Sequence, residues 1–151
     1  MKNKKSSMGT SGQQTLPKKK PAKSQLIAEQ ELCGLRIKVV AEPDAPGGWF
    51  FVTDADYDGA PAVHVGLVTD TGAWHDVFDT LLHEVLEVTL ALMDLRFTPS
   101  YYVGVPYSLF VFHFTHPQYQ EAMSRVARVV CAVEPALRKC WNEARRNADA
   151  G

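Results

Sequence analysis

The stretch Asp76–Arg96, D-V-F-D-T-L-L-H-E-V-L-E-V-T-L-A-L-M-D-L-R, constrains this chain more than any other. Val77 (or Phe78), Leu81, Leu82, Val85, Val88, Thr89, Leu92 and Met93 recur at spacings of three and four. That is the apolar stripe of a helix with one buried face. Asp76 and Asp79 place negative charge in the first turn, where unpaired N–H groups and the helix dipole favour it. Pro99 is a stop signal beyond the far end. A helix this amphipathic needs a partner surface, and the residues before it supply a sheet.

Leu35–Glu42 alternates Leu35, Ile37 and Val39 with Arg36 and Lys38, the pattern of a half-buried strand. Pro43–Gly48 is a turn by composition, and Trp49–Thr53 reads as a second strand hairpin-paired with the first. Asp54–Pro61 is a loop. Its Asp54, Asp56 and Asp58 open like a calcium loop, but the twelfth position is Val65 rather than Glu, so the run reads as solvated. Ala62–Val68 is a third strand. In it His64 reads as an ordinary strand residue, and Gly66 permits close approach of another backbone or a ligand. Tyr101–Val105 suggests a short strand, and Ser108–Phe114 a buried strand or the entry to a helix. Thr115-His116-Pro117-Gln118 has the form of a capping box with Pro in the first turn. A helical pattern then runs from Gln118 to about Asn147, with Pro135 expected to kink or split it near Glu134. The fold class implied is α+β: a small, mainly antiparallel sheet packed on the central helix, followed by a long C-terminal helix.

Residues 1–24 stand apart as a tail too poor in apolar residues to offset the entropy of ordering. Residues 25–148 form the single domain. Residues 1–28 carry seven Lys and no acid, whereas 29–151 carry nine Lys and Arg against seventeen Asp and Glu, a net of −8. The acidic domain opposes general duplex binding, and nucleic acid enters only through the Lys-rich tail. No apolar run reaches the roughly 18 residues of a membrane span, and no apolar core of a signal peptide follows the N-terminal lysines. Cys33, Cys131 and Cys140 are an odd set without C-x-x-C, which points to a reducing cytoplasm rather than a disulfide framework. Cys131 reads as a small buried hydrophobe.

The chemistry lies in His83-Glu84-Val85-Leu86-Glu87. Residues four apart on a helix lie one turn apart on nearly the same side, so His83 and Glu87 can grip one ion. Glu84, about 100° round from His83, is placed to act on water at the ion's open side. That is the logic of H-E-x-x-H, with Glu87 replacing the second imidazole. A zinc site needs a further protein ligand, for which His116 is the first choice, with His113 and Glu121 behind it. A carboxylate in place of imidazole makes the site less acidifying toward water and shifts it toward Mn2+ or Fe2+.

With a strand ending in G-L-V, a turn and then T-L-L-H-E-V-L-E, the chain resembles the compact zincin metallopeptidases, in particular the small zincin-like proteins of phages and mobile elements. The resemblance spans roughly residues 35–134. It implies a small sheet ahead of the motif helix, an edge strand lining the substrate cleft, and a second helix bringing the third ligand. By position it makes His83 and Glu87 metal ligands and Glu84 the general base. The expectation is a zinc-dependent hydrolase acting on a protein or peptide. The alternative is a zincin fold kept as a binding module, such as a phage accessory protein that holds a host factor.

Overall fold

The computed structural model describes residues 23–97 and 111–149. The Tyr101–Val105 strand, the tail up to residue 22 and residues 108–110 lie outside them. The fold is α+β, with a four-stranded mixed sheet carrying two helices on one face.

Strands β1 (Gln25–Leu32) and β2 (Leu35–Pro46) form an antiparallel hairpin closed by Cys33 and Gly34. Both turn residues have positive φ, 52° and 77°. Two such residues in a two-residue loop twist in the sense of the flanking strands. β1 falls outside the expected set, because Cys-Gly is a weak hairpin signal and β1 adjoins the Lys-rich tail. β3 (Gly48–Phe51) and β4 (Ala62–Val68) complete the sheet in the order β1-β2-β4-β3.

β3 is not paired with β2, as the sequence suggests. β4 lies between them, parallel to β2 and antiparallel to β3. The β2–β3 connection crosses over β4 at Gly66, whose N–H donates to the Gly47 carbonyl at 2.6 Å. A Cβ on Gly66 would strike the Ala45 and Gly47 carbonyl oxygens and come within 2.8 Å of the Pro46 carbonyl carbon. The close approach expected at Gly66 is therefore the chain's own backbone.

Helix α1 spans Trp74–Leu92. It ends in a Schellman motif: Asp94 is left-handed at φ 55°, Leu95 N–H reaches the Leu90 carbonyl, and Asp94 N–H reaches that of Ala91. Leu90 and Leu95 pack together beside it. This stop comes before Pro99 and turns the chain back into β5 (Arg96–Phe97), paired antiparallel with β6 (Val111–Phe112). Helix α2 covers His116–Asp149. Gln118 accepts from both the N–H and the hydroxyl of Thr115, so the capping half expected of the glutamine is formed.

Pro135 does not split α2. Pro135 and Cys131 are both exposed, so the gap in the hydrogen-bond ladder lies on the solvent side of the helix. Buried Val133 and Leu137 hold both halves to the sheet. Cys131 is thus on the solvent side and not a buried hydrophobe. Among the described residues no helix is long and apolar enough to cross a membrane.

The core lies between the sheet and both helices. Ile37, Val39 and Ala41 of β2 and Val63, Val65 and Leu67 of β4 meet Val77, Leu81, Val85 and Val88 of α1. Val126, Val129, Val133, Leu137 and Trp141 of α2 close the same cluster. The alternate residues of β2, β3 and β4 face outward, away from the helices.

Candidate functional site

α1 runs beneath the edge strand β3, and the contact is close enough to need glycine. A Cβ at Gly48 would lie 2.7 Å from both Glu84 Cγ and Thr80 Cγ2. Glu84 therefore sits under β3, only 8% exposed. Its place follows from the stripe: it lies three residues beyond Leu81 and four before Val88, on the buried side. It makes no hydrogen bond among the described residues. Burial pushes its carboxyl up from the usual range, and Glu87 adds to this, while His83 and Arg96 work against it.

His83 and Glu87 do come together. His83 Nε2 lies 3.5 Å from Glu87 Oε1, with His83 largely exposed and Glu87 mostly covered. The second Glu87 oxygen receives Arg96 Nη2 at 2.9 Å. Arg96 is delivered by the Schellman turn and lies over the Phe50 ring of β3, 5.0 Å from its centroid. This arginine is the part of the site that the sequence did not disclose. Its Nη2 binds Oε2, which leaves Oε1 toward His83.

The proposed third ligands are less closely tied to this pair. His116 opens α2 and is exposed. His113 is exposed too, and its N–H reaches the Leu95 carbonyl at 3.4 Å, which places it beside the chain that carries Arg96. Glu121 is engaged by Arg125 at 2.7 Å. Among the described residues no three His, Cys, Asp or Glu side chains converge as a metal-holding group. His83 and Glu87 are a pair, and His116 does not join them there.

A second constellation sits on the outer face, where the sequence suggested ordinary residues. His64 is buried between two carboxylates, Nδ1 at 2.8 Å from Glu42 and Nε2 at 2.9 Å from Asp54. Asp54 is therefore not part of a solvated loop. Its carboxyl is held below the usual range, chiefly by the His64 hydrogen bond. Asp56 and Asp58 are exposed, as expected.

Compared with protein-family models, curated proteins and solved structures, the chain matches none of them.

Proposed function

We propose that the chain is a metal-dependent hydrolase acting on a protein or peptide, with Glu84 as its general base. The observation that carries the reading is the placement of Glu84: a carboxylate side chain only 8% exposed, without a hydrogen-bond partner among the described residues, next to an imidazole–carboxylate pair. Covering most of a carboxylate without a partner is costly for folding, so its presence calls for a use. His83 and Glu87 would hold the cation; His116, which does not lie with them among the described residues, is the proposed third ligand and would have to swing in to complete the set. Zn2+ suits this two-His, one-carboxylate set, and the carboxylate admits Mn2+ or Fe2+. The pair fits such a role because Arg96 occupies one Glu87 oxygen and leaves the other toward His83, as a ligating carboxylate oriented by a neighbour would be. When bound, the ion supplies Lewis acidity to the bond under attack. Glu84 takes the proton of the attacking water and passes it to the leaving group. Its burial raises its basicity, which improves proton capture at neutral pH. Three free cysteines fit a cytoplasmic setting.

The test is turnover of a quenched-fluorescent peptide library by wild type and Glu84→Gln. The expected result is cleavage by wild type and loss of at least about a hundredfold in the variant. Equal turnover by the two proteins would remove Glu84 from the mechanism.

A second reading has its own observation. The Arg96–Glu87 ion pair neutralises the carboxylate without any metal. A zincin-like fold kept as a binding module, a phage accessory protein for example, would have this closed arrangement. Such a protein keeps its biological effect in Glu84→Gln and in the presence of chelator. Nucleic acid remains a partner only through the Lys-rich tail, and deleting residues 1–24 tests it by the loss of salt-dependent binding.

A further inference from the structure

The outer-face cluster joins three separate parts of the chain. Glu42 comes from β2, His64 from β4 and Asp54 from the loop that follows β3. All three side chains are at least 87% covered. Trp49 of β3 stacks on the His64 ring, centroids 5.0 Å apart and planes 10° apart. Phe51 and Tyr57 meet the ring at 5.9 and 6.0 Å. The other carboxylate oxygens are also engaged. Ser24 Oγ donates to Glu42 Oε2 at 2.6 Å, and Asp56 N–H donates to Asp54 Oδ1 at 2.9 Å.

A neutral imidazole has one N–H and one lone pair. Held between two ionised carboxylates, it would turn the lone pair on one of them at hydrogen-bond distance, inside a poorly screened site. An imidazolium donates to both, and its charge also suits the Trp49 face. Lys38, on the same face of β2 as Glu42, pairs with Glu29 of β1. Tyr57 is the remaining titratable neighbour. Burial, and then the charges of Glu42, Asp54 and Asp56, push its phenol up, so it stays neutral and does not compete.

The same strand links this cluster to α1. Successive residues of a strand face opposite sides. Trp49 lies on His64, while Gly48 covers Glu84 and Phe50 lies beneath Arg96. We propose that His64, as an imidazolium bridging Glu42 and Asp54, is a positioning residue that clamps edge strand β3 over Glu84. The charged clamp stands on its own geometry; only its value for catalysis rests on the hydrolase reading.

Two measurements on the full chain test it, neither involving metal or turnover. The first is the 15N NMR signature of the His64 ring at pH 7, assigned by its disappearance in His64→Gln or, if that variant does not fold, by through-space contacts to Trp49. Both ring nitrogens should be protonated; one unprotonated nitrogen overturns the clamp. The second is amide hydrogen exchange in Asp54→Asn at pH 7. Exchange should rise by about tenfold or more in residues 48–60 and stay unchanged in residues 81–88. A rise of equal size throughout, or none, shows a general packing role and overturns the positioning role. Either failure leaves the hydrolase reading to be judged separately by Glu84→Gln turnover.

Discussion

Replacing Gly66 by Ala should be among the most damaging single-methyl changes in the protein. The added Cβ would sit 2.8 Å from the Pro46 carbonyl carbon, with the Ala45 and Gly47 carbonyl oxygens nearer still. Carbon atoms in good contact are about 3.5–4.0 Å apart, so the crossover must lift by roughly 0.7 Å or more. What must move is backbone, and no side-chain rotation relieves it. The lift also stretches the Gly66–Gly47 hydrogen bond, 2.6 Å in the native fold. Overpacking of this kind costs about 1–3 kcal/mol, and the strained hydrogen bond adds about 1 kcal/mol, so a loss of about 3 kcal/mol is expected. Gly34→Ala is the control. Nothing lies within 4 Å of its added methyl, and only the positive φ of 77° is penalised, at about 1 kcal/mol. Urea unfolding of the two variants beside wild type reads the difference. Equal losses in the two would refute the crossover argument, because both changes add the same methyl and only one meets backbone.

Two further outcomes concern ionisable groups. Glu84 has a folded-state pKa above its unfolded value, so its ionisation penalises the fold once pH rises past the unfolded value of about 4.3. Glu84→Gln should therefore stabilise the chelator-treated protein at pH 8, with the gain shrinking toward pH 4; a variant less stable than wild type at pH 8 counts against the burial argument. Asp54 has the opposite sign: its contribution is full above the unfolded value of about 3.9 and is lost as pH falls through its lower folded value. Asp54→Asn should flatten the acid limb of the stability–pH curve, and acid unfolding identical to wild type would show that the His64 contact does not hold it.

Much of the fold was legible in the sequence because it is written locally. The stripe on α1 and the Thr115–Gln118 cap each depend on residues within a turn or two of one another. The sheet order was not, because the β2–β3 connection looks like a hairpin turn by composition. The sequence offered only Gly66 as a sign that the chain passes over β4. The burial of Glu84 was available from its spacing to Leu81 and Val88. Arg96 was not, since its reach to Glu87 depends on the left-handed residue Asp94 reversing the chain. The His64 cluster draws on positions 22 and 10 residues away in sequence, and no periodicity joins those. One signal did exist: A-V-H-V-G-L-V is apolar on both faces, which marks a strand covered on both sides, and a histidine there must find partners.

The central claim is that His83 and Glu87 hold a cation beside Glu84. Metal content of the purified full chain by elemental mass spectrometry, with His83→Ala and His116→Ala alongside, tests it most directly. The expected result is about one zinc, manganese or iron per chain in wild type and loss in both variants. Loss in His83→Ala alone keeps the site and moves its third ligand to His113 or Glu121. A wild-type chain that holds no metal even after reconstitution contradicts the claim and leaves the Arg96–Glu87 pair as the closed surface of a binding module.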